Sequence, residues 1–194
     1  MKKKNIKEIP TVVELEQELQ REKYKKRYQS VLKSTTYSLI TVAAVAVLVA
    51  TLWMPVLQIY GSSMTPTLEN GNIVVSIKTK KFETGEVVAF YYNNKILVKR
   101  VIAGPGDWVN LDEQGNVYVN GDLIEEPYLE EKAKGDCNIE LPYQVPESQY
   151  FVMGDHRSVS VDSRNSSIGC VANEQIVGKI VFNLWPITDI GMID

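Results

Sequence analysis

Three short segments bring together residue types that can do nucleophilic and acid–base chemistry. The first, Gly61-Ser62-Ser63-Met64-Thr65-Pro66-Thr67-Leu68, offers two adjacent hydroxyls. A serine hydroxyl is a weak nucleophile until a neighbouring base takes its proton. Taken alone, the segment also reads as an ordinary Gly/Ser/Pro linker. The second, Ile96-Leu97-Val98-Lys99-Arg100-Val101-Ile102-Ala103-Gly104-Pro105-Gly106-Asp107, carries a lysine inside an apolar strand pattern. Alternation places Lys99 on one face with Leu97 and Val101, and Arg100 on the other with Val98 and Ile102. If the Lys99 face is the core face, desolvation drives its ammonium towards the neutral amine. A neutral amine can serve as a general base near physiological pH. An edge strand whose lysine reaches solvent stays open as the alternative. The third segment, Met153-Gly154-Asp155-His156-Arg157-Ser158-Val159-Ser160-Val161-Asp162-Ser163-Arg164, has the composition of a loop tied down by ion pairs and hydroxyl contacts. His156 beside Asp155 also raises the question of a Ser/His/Asp triad.

The elements that would position these segments change character along the chain. No charged side chain occurs between Lys33 and Glu69, and Thr35 to Leu57 is an apolar run of 23 residues. That is enough to cross the roughly 30 Å hydrocarbon core of a bilayer as a helix. It is longer than the 7–15-residue core of a cleavable secretory signal and follows a long basic region, so an uncleaved signal anchor is expected. Residues 11–33 set Val12, Leu15, Leu19, Tyr24, Tyr28 and Val31 among charges, as in a solvated helix leading into the span. After residue 58 the texture is β. Val74, Val87–Phe90, Ile96–Ile102, Val109–Leu111, Val117–Val119 and Val177–Phe182 are short β-branched runs bounded by Gly, Asn and Asp. Gln114-Gly115-Asn116 and Asn120-Gly121 are hairpin turn signals. The expected fold is mainly β, an antiparallel sheet or barrel-like domain with one N-terminal transmembrane helix. The expected divisions are 1–34, a basic segment; 35–57, the anchor; and 58–194, the domain carrying the chemistry.

The net charge of −3 hides an asymmetry. Residues 1–34 hold ten Lys/Arg and five Asp/Glu, a net of +5, which leaves −8 for the remainder. An acidic body is a poor surface for nucleic acid, whereas a basic head suits an anionic membrane leaflet. Lys23, Lys25, Lys26, Arg27 and Lys33 crowd one flank of the span, and the next Lys or Arg is Lys78. The positive-inside rule then puts the N-terminus in the cytoplasm and the β domain outside. Cys137 and Cys170 have neither zinc-site spacing nor histidine partners, and His156 is the only histidine. No metal and no cofactor is expected. Outside the cytoplasm the two cysteines could be bridged or free, and both remain open.

In this order, the three segments resemble the boxes of the bacterial type I signal peptidases: S-M-x-P-T-L, K-R-V-x-x-x-P-G-D and G-D-x-R-x-x-S-x-D-S-R. The resemblance extends through Ile176–Phe182 and Trp185-Pro186. It implies a membrane-bound serine endopeptidase that removes N-terminal signal peptides from exported preproteins at the outer face of the membrane. Ser63 is then the nucleophile, Lys99 its base and Ser160 the hydroxyl that holds the lysine amine. Gly61 and Ser62 fall in the oxyanion loop, and Gly61 stands where some family members carry a serine donor. Arg100, Asp155, Asp162 and Arg164 are expected to form ion pairs that pin the loop beside Lys99. A complete lysine arrangement leaves His156 no triad role. The resemblance further implies an extended substrate beside a strand, with small side chains at the first and third positions before the cut. Two other readings fit the sequence less well. A self-cleaving repressor-type protease would use a similar Ser/Lys pair but carry a DNA-binding head instead of a span. An inactive assembly factor for surface proteins would be expected to lose Ser63 or Lys99.

Overall fold

The structure, a computed structural model, describes residues 10–193 and divides into two compact units, one ending at Val49 and the other beginning at Ala50. The first unit is helical. Thr11 opens helix α1 (Val12–Trp53) with a reciprocal cap: the Glu14 N–H donates to the Thr11 hydroxyl, and the Thr11 N–H donates to the Glu14 carboxylate at 2.8 Å. The 42 residues of α1 extend about 63 Å. That exceeds a bilayer core, so the charged N-terminal half and the apolar C-terminal half cannot share one environment. Leu39, Val42 and Val47 are each more than 60% exposed. A stripped apolar helix of this kind is stable in lipid rather than in water.

The helix stops at Trp53, four residues short of the expected end of the span. Pro55 has no N–H to continue the ladder, and its ring would clash with the preceding turn. Val56 and Leu57, expected in the anchor, instead form strand β1 (Val56–Gln58), which pairs with β2 (Ile73–Ile77).

The second unit is two antiparallel sheets, without a closed barrel. The larger runs β1-β2-β11-β3-β4-β9-β10, with β12 (Gly191–Met192) added to β11. Here β3 is Val87–Tyr92, β4 Lys95–Ala103, β9 Gln149–Met153, β10 Val171–Ala172 and β11 Ile176–Trp185. The smaller runs β7-β6-β5-β8, where β5 is Trp108–Leu111, β6 Val117–Val119, β7 Asp122–Leu123 and β8 Tyr143–Gln144. Asn120-Gly121 closes the β6–β7 hairpin with φ of 55° and 93°. Asn93-Asn94 does the same for β3–β4 at 44° and 63°. Both are two-residue turns that need positive φ at both positions, which Asn and Gly tolerate best.

Strand β3 is buried on both faces. Val87 and Ala89 join Ile59, Met64, Leu68 and Ile180 in one cluster, while Val88 and Phe90 join Phe82, Val101 and Val152 in another. A third cluster, with Ile102, Val109, Phe151 and Met153, joins the end of β4 and β9 to the smaller sheet. Cys170 packs against this third cluster, and burial pushes its thiol up to about 11. Cys137 and Cys170 are both free thiols.

Candidate active site

Lys99 lies near the middle of β4, opposite Val88 of β3, and is 3% exposed. Alternation groups Lys99 with Leu97 and Val101 on one face without deciding whether that face is buried; in the structure Lys99 and Val101 are buried. The structure buries the other face as well, with Arg100 at 1% and Ile102 at 0% exposure. Both faces of the strand are buried here, so Arg100 needs a partner for its charge. It finds one in Asp155, through Nε at 3.0 Å and Nη2 at 2.7 Å, and it donates to the Gly85 carbonyl at 2.6 Å.

The Lys99 amine donates to the Ser63 hydroxyl at 2.6 Å. Burial is the main cause that lowers the Lys99 amine from 10.5 to about 8; the charges of Asp162 and Asp155 pull the other way, and Arg164 reinforces burial. A serine hydroxyl against a largely desolvated amine is the arrangement that nucleophilic catalysis needs. Ser63 comes from the turn after β1, whose ends are fixed by apolar anchors: Met64 and Leu68 are buried at 2% and 0% exposure. The Ser63 carbonyl accepts the His156 N–H at 3.1 Å. The Ser63 N–H makes no hydrogen bond among the described residues, which leaves it free to meet an oxyanion.

The loop after β9 supplies the rest. Asp162 accepts the Gly154 N–H at 2.9 Å and both Nε and Nη2 of Arg164 at 2.8 Å. Burial opposes ionisation of Asp162, but Arg164 and the Gly154 N–H outweigh it and hold the carboxyl below its usual range. Arg164 further ties the loop to the Ala133, Lys134 and Arg157 carbonyls. Ser160 is 2% exposed; its hydroxyl makes no well-aligned hydrogen bond but lies near enough to the Asp162 carboxylate to help keep it ionised. The contact expected between Ser160 and the lysine amine is therefore not formed here. The His156 ring nitrogen lies 3.3 Å from the Ser62 carbonyl and makes no hydrogen bond to the Ser63 hydroxyl. Gly61 has φ of 93°, and its N–H donates to Asn70 Oδ1 at 2.9 Å, so that N–H is already engaged.

Sequence patterning does not single out several residues around the site. Thr67 donates its hydroxyl to Asp155, and its place in the first segment was the available clue. Gly154 is enclosed: a Cβ there would overlap Ser160 Oγ and come within 2.5 Å of the Ser63 carbonyl oxygen. Glu126 is buried in an ion pair with Arg157, and the Tyr128 ring covers Arg100 with its centroid 3.9 Å from Cζ. Nothing in one sequence connects positions 31 apart such as 126 and 157.

A cleft of about 650 Å³ opens beside Ser63 and Lys99. One wall is Leu57–Gly61 and the other Lys95–Lys99. Strand β1 is the edge of its sheet, paired only with β2. Strand β9 meets β4 only along Arg100–Ala103, so the Lys95–Lys99 part of β4 also keeps one edge open. Both walls thus present unpaired strand edges, the surface that an extended peptide extends by strand addition.

The family description "Signal peptidase, peptidase S26" matches residues 32–185. The chain belongs to the S26 signal peptidase family. It is 40% identical over 151 residues to signal peptidase IB of Staphylococcus aureus (strain COL), covering 68% of this chain and 78% of that one. Signal peptidase I of Bacillus amyloliquefaciens is 34% identical over 180 residues, 87% of this chain and 96% of its own. A crystal structure of a signal peptidase I from Enterococcus faecalis V583 aligns at 28% identity over 53% of this chain and 98% of that one, with a TM-score of 0.45.

Proposed function

We propose that this membrane-anchored serine endopeptidase of the signal peptidase I type removes signal peptides from preproteins with Ser63 as nucleophile and Lys99 as base. The observation that carries the assignment is the 2.6 Å contact between the Lys99 amine and the Ser63 hydroxyl at the floor of an open-edged cleft. A preprotein segment lies extended between the two walls, held by main-chain hydrogen bonds. The neutral Lys99 amine takes the Ser63 proton as Oγ attacks the scissile carbonyl. The Ser63 N–H meets the oxyanion, the kind of donor worth about 100–1,000-fold in rate elsewhere. The Lys99 ammonium then protonates the departing amine of the mature protein, leaving the signal peptide as an ester on Ser63. Lys99 next deprotonates a water that hydrolyses the ester, which restores the serine.

Ser160 acts in this scheme by holding the lysine amine. Its support is a buried hydroxyl without a well-aligned hydrogen bond, close to the loop that Asp162 and Arg164 pin beside Lys99. Arg100, Asp155, Asp162 and Arg164 hold the loop rigid. The basic flank of α1 lies in the cytoplasm and the β unit outside, on the charge asymmetry of the chain. Incubating purified intact protein with a labelled preprotein, beside Ser63→Ala, tests the assignment. Cleavage by the intact protein and none by Ser63→Ala is expected; equal cleavage by both overturns it.

A further inference from the structure

Glu126, Pro127 and Tyr128 belong to none of the three segments that carry the chemistry, yet two of them reach the arginines nearest to it. They follow β7, the edge strand of the smaller sheet. Pro127 fixes φ and leaves its two neighbours to reach out from a stiff stretch of backbone. Glu126 gives both carboxylate oxygens to Arg157: Nη1 donates at 3.0 Å, and Nη2 donates to the other oxygen, with both side chains fully buried. The Tyr128 hydroxyl donates to Glu126 at 3.0 Å, and its ring lies over the Arg100 guanidinium.

Each arginine in turn holds one residue of the loop behind Ser63. Arg157 Nε donates to the Gly154 carbonyl at 3.1 Å, and Arg100 clamps the Asp155 carboxylate. The next residue, His156, donates its N–H to the Ser63 carbonyl, while Gly154 packs against Ser160 and that same carbonyl with no room for a side chain. A chain of contacts therefore runs from Glu126 through Arg157 and Gly154 to the backbone of Ser63. A parallel one runs from Tyr128 through Arg100 and Asp155.

We propose that Glu126 and Tyr128 are positioning residues, through which the smaller sheet sets the placement of Ser63 against Lys99. The proposal rests on the Ser63–Lys99 assignment above. Glu126 touches neither of those side chains, so it acts only through Arg157. A bidentate carboxylate–guanidinium pair fixes the arginine in direction as well as in place, and this lets Nε hold a single carbonyl. Displacements of about 1 Å at a reacting centre cost on the order of 100-fold in rate.

A purely structural role would show the same contacts, and the test must separate the two. Glu126→Gln leaves the Arg157 charge buried without its partner, which is strongly destabilising in such pairs. Replacing both, as Glu126→Leu with Arg157→Met, removes the unpaired charge, and apolar replacements of buried pairs are often neutral or stabilising. The double variant should therefore fold with a melting temperature near that of the parent. Its kcat should nevertheless fall about 10- to 100-fold with KM within threefold, because no guanidinium holds the Gly154 carbonyl. The ascending limb of its kcat/KM–pH profile should move to higher pH. A loosened loop admits water to Lys99, and burial is what chiefly lowers that amine. Tyr128→Leu should shift the limb in the same direction with a smaller loss of kcat. A folded double variant with parental kcat and an unmoved limb overturns the proposal, as does a limb that moves to lower pH, which would mean that charge rather than placement is at work. Ser63→Ala is measured alongside. If it still cleaves, the nucleophile assignment fails, a result distinct from failure of the positioning role.

Discussion

The placement of Lys99 has a quantitative consequence for the pH dependence of cleavage. With its amine lowered to about 8, roughly one molecule in ten carries a neutral lysine at pH 7. At its ordinary value of 10.5, the fraction would be about one in three thousand. Burial thus raises the supply of base about 300-fold at neutral pH, equivalent to about 3 kcal/mol. The kcat/KM profile on a fluorogenic signal-peptide substrate should accordingly rise through a single limb centred near pH 8. Lys99→Ala should lose this limb with nearly all activity. Lys99→Arg should be as inactive, since a guanidinium stays protonated and cannot accept the serine proton. His156→Ala should keep the limb where it is, because the histidine ring meets the Ser62 carbonyl and not the Ser63 hydroxyl. A limb between pH 6 and 7 that disappears in His156→Ala while Lys99→Ala still cleaves would refute the lysine mechanism.

The same lowered amine should appear in stability. Its folded value, about 8, lies below its unfolded value, so the unfolded chain binds more protons between pH 8 and 10.5 and stability should rise with pH across that window. Denaturant unfolding should show this slope, up to about 3 kcal/mol in total, and Lys99→Met should lack it. Gly154→Ala should lose activity together with about 1–3 kcal/mol of stability, because the new methyl would overlap Ser160 Oγ; parental kcat and Tm would show that the loop yields freely. Gly61→Ser should cost about 1–2 kcal/mol in thermal unfolding through its positive φ alone, since no atom lies within 4 Å of the position of its Cβ. It should still cleave, whereas an inactive but folded Gly61→Ser would mean that the turn shape itself sets the serine. Protease added to intact spheroplasts should digest the β unit and spare a tag at Met1; a protected β unit would reverse the assigned topology.

The strands that sequence revealed are those whose β-branched runs are bounded by turn residues, such as Val87–Phe90 and Ile96–Ile102. Strand β1 was hidden because Val56 and Leu57 continue an uncharged run, and hydrophobicity alone cannot separate the tail of a helix from a short apolar strand. Pro55 marked the break. Alternation brought out Lys99 but could not choose a face, since β4 is buried on both faces at this point. The two hairpins differ in the same instructive way. Asn120-Gly121 is a strong turn signal, whereas Asn93-Asn94 reaches the same backbone shape with a residue pair that composition leaves ambiguous. Glu126 and Tyr128 were not legible at all, because a buried ion pair between sequence-distant residues leaves no local pattern.

The charges around the site favour the lysine, and not one of its neighbours, for the role of base proposed above. Four cationic side chains are buried there, Lys99, Arg100, Arg157 and Arg164, against three buried carboxylates, Asp155, Glu126 and Asp162. Each carboxylate is joined to an arginine, and Lys99 is left bonded to a hydroxyl. A guanidinium cannot discharge, so an arginine without its carboxylate would remain a buried charge at heavy cost. An ammonium can discharge by releasing its proton, which is the cheaper outcome for the cation left over. The pairing of the three arginines is thus part of what makes Lys99 basic in the useful sense. The carboxylates of Asp162 and Asp155 still lie close enough to pull its amine upward, and this keeps it near 8 instead of letting burial lower it further. That balance leaves the amine neutral often enough to take the serine proton and basic enough to carry it to the leaving group.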